Sequence, residues 1–239
     1  MPDVRQAEGP AGDKSTLAAE VYDRIAEELM SGVLAPGTRL KIRELSDRMG
    51  VSVTPVRDAI LRLVNNGALS FQSPRDIRVP FLERARYLEI RAIRLELEGL
   101  AAERAAQLAN SRQLAMLDDL VVRNEQALLR GDQMEALRMN QRFHLALTEI
   151  AGMPILRGLV ENLWLQMGPL IASGYGAGGR VMIEHHHPVI DAIRNGDGEA
   201  ARAAIRTDIM KGGEVLLTRG SLAAERRPAS PPVGRALQS

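Results

Sequence analysis

The sequence predicts a mainly α-helical protein in two parts: a small N-terminal unit that ends in two short strands, and a larger antiparallel bundle of helices. Three observations lead there. Ala, Leu, Arg and Glu are abundant while aromatic residues make up only 3% of the chain, a composition that favours helix. Apolar residues recur at helical spacing through most of residues 16–217. The segment 68–81 alternates instead, and it lies between two such regions. With 239 residues the chain is long enough for one large domain or two small ones, with a real core.

The elements follow in order. Residues 1–14 are rich in Pro, Gly and charge without periodicity and read as a disordered arm. A first helix over about 16–30 places Leu17, Val21, Ile25 and Leu29 on one face. Pro36-Gly37 is a turn pair. A second helix over 42–49 turns Ile42, Leu45 and Met49 inward and Arg43 outward. Gly50 ends it by taking a left-handed conformation. The stretch MGVSVTPVRDAILRLVNNGAL then supplies a third helix. Ser52 or Thr54 caps it, Pro55 fits its first turn, and Val56, Ile60, Leu63 and Val64 form its apolar stripe. Its outward tip carries Ser52, Val53, Thr54 and Arg57, groups that reach phosphates and base edges when a helix enters the major groove. Residues 68–81 form a two-stranded wing that turns at Ser73-Pro74-Arg75-Asp76.

Charge supports that reading locally and not globally. The net charge is +1, so no general basic field attracts nucleic acid. Yet Arg39, Lys41, Arg43, Arg48, Arg57, Arg62, Arg75 and Arg78 outnumber Glu44, Asp47, Asp58 and Asp76 over the same stretch. The alternative is a solvated surface of mixed charge. Cysteine is absent, which excludes disulfides and thiolate metal sites and suits a cytoplasmic protein. No apolar run approaches the ~20 residues of a membrane span. The N-terminal residues lack the apolar stretch of a signal peptide.

After Pro80 long helical patterns take over, at 83–108, 110–129, 132–151 and 153–172. The run Ser173-Gly174-Tyr175-Gly176-Ala177-Gly178-Gly179 reads as a flexible joint. Helices at 180–194 and 198–217 follow, and 221–239 reads as a disordered tail. The domain plan is an arm at 1–14, a first domain at 15–81, a bundle at 82–220 and the tail. All four histidines fall in two places, His144 and His185-His186-His187. Asn140 and His144 share a helix face, and His186 is in phase with the inward Val189, Ile190 and Ile193. Asp208 lies near the inward Ile205 and Ile209. By spacing alone these are core polar residues or metal ligands.

Two sets of motifs resemble a known family. Gly32-x-Leu34-x-Pro36-Gly37-x-x-Leu40, Arg43-Glu44-Leu45 and Val51-Ser52-x-Thr54-Pro55-Val56-Arg57-Asp58-Ala59 resemble the winged helix-turn-helix of the GntR family of bacterial transcription regulators, over about residues 17–80. Asn140, Arg142-Phe143-His144, Ala151-Gly152, Glu184-His185-His186 and Ala192-Ile193-x-x-Gly196-Asp197 resemble the FCD ligand-binding domain of its FadR-type branch, over about 83–217. The resemblance implies an N-terminal winged helix-turn-helix followed by an antiparallel all-α helical bundle. It implies a homodimer on palindromic double-stranded operator DNA, contacted through Arg43, Ser52, Val53, Thr54, Arg57, Arg75 and Arg78. It also implies a divalent metal held by Asn140, His144 and His186, with Asp208 standing where the family has a third His. Zinc is the first expectation, nickel or manganese the alternatives, and His185 and His187 are substitutes if the register shifts at Pro188. The implied effector is a small organic acid whose carboxylate meets the metal and Arg94, with Arg91 second. The alternative for Arg94 is a surface ion pair with Glu98.

Two departures stand out. Val53 replaces a frequent Arg and offers a methyl contact to thymine instead. Asp76 replaces a frequent wing Gly and sets a negative charge where phosphates would approach, leaving Arg75 and Arg78 as the wing's contacts. The chain reads as a regulator and not an enzyme. Its rivals are a metal sensor and a bundle metalloenzyme, and the latter lacks a general base at defined spacing to the ligands.

Overall fold

The computed structural model describes residues 11–73, 75–219 and Leu222. Residues 1–10 of the expected arm, the wing residue Pro74 and nearly all of the expected tail lie outside the described residues. The elements are α1 Ala11–Met30, β1 Arg39–Leu40, α2 Ile42–Met49, α3 Val53–Asn65, β2 Ser70–Ser73, β3 Asp76–Arg78, α4 Arg84–Leu108, α5 Ser111–Leu129, α6 Gln133–Ile150, α7 Pro154–Gly178, α8 His186–Arg194 and α9 Gly198–Arg219. Among the described residues no helix is long and apolar enough to cross a membrane.

The N-terminal unit is a helix-turn-helix with a wing. Val21, Ile25 and Leu29 of α1 meet Leu45 of α2 and Val56, Ile60 and Leu63 of α3, all buried. Gly50 takes φ 68° and closes α2, its N–H bonding back to Ser46 and Asp47 carbonyls. The Ser46 hydroxyl donates to the Val51 carbonyl at 2.5 Å and fixes the turn into α3. Ser52 is the N-cap residue of α3 by backbone conformation, but its side chain makes no cap hydrogen bond, and Thr54 lies inside the helix. The first turn of α3 therefore keeps both hydroxyls outward and its N–H groups unspent. The wing has three strands, not two: β1 joins it in the order β1-β3-β2, all antiparallel.

Other sequence expectations also need correction. The first helix starts at Ala11, so part of the expected arm is helical. The glycine-rich run 173–179 is not a joint, because α7 continues to Gly178. The reason is packing. A Cβ on Gly174 would come within 2.3 Å of the Leu216 side chain, so small residues let α7 lie close against α9. The helix expected over 180–194 is correspondingly shortened, with a short 3-10 turn over Gly179–Met182 and α8 beginning only at His186, while α9 starts at Gly198 as expected.

In the bundle, α4 packs chiefly on α9 and also on α6, α7 and α8. Helix α7 has two working faces. Trp164, Met167 and Ile171 border an internal cavity of the bundle. Leu165 belongs to the core of the N-terminal unit. Gly168 lies so close to the end of α1 that an added Cβ would stand 2.6 Å from the Met30 Cα and 2.7 Å from the Leu29 carbonyl oxygen. A turn later, Ala172 meets Gly32, where a Cβ would fall 2.1 Å from that of Ala172 and where φ is +76°.

Candidate functional site

Two places concentrate polar chemistry. The first is a groove of about 580 Å³ between the tip of α3 and the wing, bordered by Arg39, Lys41, Arg43, Val53, Arg57 and Arg75. Ser52, Val53, Thr54 and Arg57 are exposed at the start of α3, as are Arg43 in α2 and Arg75 in the wing turn. A helix N-terminus with free N–H groups and flanking cations suits a polyanion. Arg78 stands apart from the groove. Its Nε donates to Asp76 Oδ1 at 3.0 Å and its guanidinium to the Gly37 carbonyl at 3.4 Å. Arg39 and Lys41, which the sequence offered only as local charge, join the rim.

The second place is a buried polar cluster inside the bundle. His144 of α6, His186 of α8 and Asp208 of α9 each offer one ligand atom, all within 4.8 Å of one another. The Nε2 of His144 lies 3.2 Å from one Asp208 oxygen, and the Nε2 of His186 3.5 Å from the other. Asn140, one turn before His144, is buried beside them. His185 and His187 point elsewhere, toward Glu184 and Glu125.

The cluster has an acid that sequence reasoning weighed only as a surface partner. Glu98 of α4 is 0% exposed. It accepts from Arg94 Nε at 2.5 Å and from a second Arg94 nitrogen at 3.3 Å, and it faces His144 Nδ1 at 2.6 Å. The pair with Arg94 forms, but in the interior. Arg94 also lies over the Trp164 ring at 4.5 Å. The signal for burial was the neighbouring Gly99, Ala101 and Ala102, small residues that let another helix approach. Arg91 is half-buried beside Tyr87.

Burial by itself would raise the Glu98 carboxyl, yet Arg94 and His144 hold it down at about 2. In the acid range, where His186 also carries charge, a similar contest holds Asp208 below its ordinary value: burial raises it, and His186 and His144 outweigh burial. Burial disfavours charge on His144, but Glu98 and Asp208 raise its affinity for a proton. His186, stacked on Phe143, is driven down to about 4 by burial and stays neutral.

Three buried atoms of the cluster have no hydrogen-bond partner among the described residues: Asn140 Oδ1 and both ring nitrogens of His186. Leaving such atoms unsatisfied is costly. They are also the atoms that a cation needs, neutral imidazole nitrogen and amide oxygen beside a carboxylate. The group fits a divalent metal. The adjoining cavity, bordered by Arg91, Arg94, Asn140, His144 and Asp208, has a volume of about 30 Å³. That holds a water or an ion and is smaller than an organic acid.

Comparison with known proteins gives the same two-part division. The model of the FCD domain matches residues 89–210, and that of the bacterial regulatory proteins of the gntR family matches residues 17–79. The chain is 35% identical over 191 residues to the HTH-type transcriptional regulator McbR of Escherichia coli K12, covering 78% of this chain and 86% of McbR. It is 25% identical over 188 residues to the HTH-type transcriptional repressor RspR of the same organism, covering 78% and 82%. The solved structure of E. coli McbR/YncC superposes with a TM-score of 0.79 at 33% identity, over 84% of this chain and 97% of that one.

Proposed function

The chain belongs to the GntR family of bacterial regulatory proteins and carries an FCD domain, and on that premise we propose that it binds palindromic operator DNA as a homodimer in the cytoplasm and responds to a small organic acid taken up beside a divalent metal. It is a transcription regulator and not an enzyme. The rimmed groove at α3 supports the DNA contacts. Arg43 and Arg57 are exposed on its two sides, where they reach phosphates and base edges, while Ser52 and Thr54 offer hydroxyls and Val53 a methyl. Arg75 extends the cationic rim into the wing. Two-fold symmetry in the operator would match two such units in a dimer.

One observation carries the effector reading: Asn140 Oδ1 and the His186 ring nitrogens, buried beside His144 and Asp208 and without a hydrogen bond among the described residues. These four residues would hold the metal, zinc foremost, with nickel or manganese as alternatives. When bound, the ion supplies a concentrated positive charge and a coordination position for an oxygen donor. Glu98 is the group that orients His144. By engaging Nδ1 it turns Nε2 toward Asp208, the arrangement in which a second carboxylate fixes a ligating imidazole. To ligate a metal, His144 would have to give up the proton that Glu98 and Asp208 favour on it.

The charge balance then favours an anionic effector. Two ionised carboxylates and Arg94 leave one net negative charge. With a divalent cation held there, the site would carry one net positive charge, which a monocarboxylate would cancel. Arg94 is largely engaged by Glu98, so Arg91, half-buried at the cavity rim, is the freer cation for that carboxylate. The cavity has to widen to admit it. The two-faced α7 supplies a route by which widening would bear on α1.

The cavity volume favours a second reading, in which the ion alone is the effector. Gel-shift titration with purified protein separates the two. The first reading expects operator affinity to change when an organic acid is added to metal-loaded protein, and to stay unchanged on chelation alone. A shift on chelation, with no further response to acids, supports the metal sensor. Protein that retains no divalent metal at stoichiometric level after gentle purification removes both.

A further inference from the structure

The wing holds a charge arrangement that the DNA-binding reading does not use. In β1 and β3, Arg39 stands directly opposite Arg78. Like charges facing each other across a ladder repel. Asp76 lies between them. Its Oδ1 accepts from the Nε of Arg78 at 3.0 Å and forms an ion pair with the Nε of Arg39 at 3.2 Å. Each guanidinium is then fixed a second time, Arg39 to the Arg75 carbonyl at 3.3 Å and Arg78 to the Gly37 carbonyl at 3.4 Å. The carboxylate that looks repulsive in the sequence is thus spent on two arginines of its own sheet, and its side chain is only 24% exposed.

The two arginines differ in what remains to them. Arg78 turns back onto Gly37 and takes no part in the groove rim. Arg39 borders the groove with Arg43, Arg57 and Arg75, its side chain 48% exposed. Its Nε edge is held, and its remaining terminal N–H groups meet no other acceptor among the described residues, which leaves them for an outside one. An arginine so anchored loses little freedom when it meets an anion.

We infer that Arg39 is a further DNA-contacting residue, directed at a backbone phosphate beside the wing, and that Asp76 is the positioning residue that holds it there. This rests on the DNA-binding reading above. Phosphate is the acceptor because it lines the rim of a groove that a helix has entered, and it pairs with a guanidinium fork. Asp76 therefore acts in two opposed ways: its charge weakens attraction to DNA, and its grip on Arg39 strengthens one contact.

The test separates those effects. The probes are the tightest duplex that the wild type selects from a randomised library and a duplex of mixed sequence, each measured over a salt series. Arg39→Ala is expected to weaken both several-fold and to lower the salt slope by about 1. Arg39→Lys keeps the charge but loses the fork, so it restores the slope and only part of the affinity. Asp76→Asn and Asp76→Ala both remove the negative charge, but only Asn keeps an oxygen beside the Nε of Arg39. Asn is expected to bind several-fold more tightly than Ala with Arg39 present, and equally with Arg39→Ala as background. Equal binding by Asn and Ala in both backgrounds overturns the positioning role. If Asp76→Ala does not fold, a wild-type slope and affinity for Arg39→Ala is the overturning result. Wild type that binds neither duplex overturns the DNA-binding reading itself, an outcome distinct from wild type that binds while Arg39 makes no difference.

Discussion

In the winged unit the charged side chains stand in water: Arg39, Lys41, Arg43 and Arg57 project from different elements around an open groove. In the bundle the charges of Arg94, Glu98, His144 and Asp208 are enclosed with His186, none more than 6% exposed. The first arrangement is a set of separable contributions, because solvent screens each charge from the next. The second is a network in which removing one member strands the others without water. The surface site should lose function gradually and keep its fold, whereas the buried site should lose stability first.

The largest effect expected is at Glu98. Glu98→Ala leaves Arg94 and His144 facing a void and should cost about 3–5 kcal/mol of stability, read by urea unfolding; a loss below about 1 kcal/mol would make the cluster behave like a surface pair and break the contrast. The acid limb sharpens this. The folded Glu98 carboxyl sits at about 2, below its ordinary 4.5, so its contribution is complete above 4.5 and is lost as pH falls toward 2. The wild type should therefore lose stability more steeply than Glu98→Gln over that window.

Next in size is metal removal. At a hundredfold excess over its dissociation constant a ligand of the folded state adds about 2.7 kcal/mol. Chelation should lower the melting temperature of metal-loaded wild type by that contribution and leave His144→Ala unmoved, while His144→Ala still binds DNA. Coincident melting curves with and without chelator, on protein shown to be loaded by elemental analysis, count against the bridge.

Arg57→Ala is expected to weaken operator binding by about 1–3 kcal/mol with an unchanged melting temperature. A normal gel shift by the Arg43→Ala, Arg57→Ala double variant would remove the docking model. The smallest effect belongs to Lys41, exposed and paired with Glu44. Lys41→Ala should change stability by less than about 1 kcal/mol and lower the salt slope of DNA binding by about 1 if it reaches a phosphate.

The same contrast explains what the sequence made legible. The groove was readable because its residues lie within a short stretch and follow local rules: a glycine stop, a proline in the first turn and an outward Ser52-Val53-Thr54 with Arg57. Even there, β1 escaped notice, being two residues whose pairing depends on a strand some 38 positions away. The buried cluster was half readable. Asn140 and His144 share a face by spacing, His186 by phase and Asp208 by its place near the inward Ile205 and Ile209, but that they form one ligand set came from the family resemblance. Glu98 was misjudged because an Arg and a Glu four apart look alike on an exposed face and on one covered by another helix. The glycine run 173–179 failed for a related reason. Glycine signals either freedom or close approach, and only the position of Leu216 decides between them.

Gly168 has a consequence for how such proteins can be rebuilt. The two units look like interchangeable parts, joined by the short segment between β3 and α4. They are not interchangeable at that joint. Backbone rests on backbone where Gly168 meets Leu29 and Met30, with a second small-residue contact at Gly32 and Ala172, so the fit is one of thickness and not of affinity. A reading head grafted from another regulator would arrive with its own spacing at the end of α1, and a single extra methyl group at either position would tilt it or force it off. Recombination of sensors with readers, by engineers or by evolution, has to exchange the α7 surface together with the head that it carries.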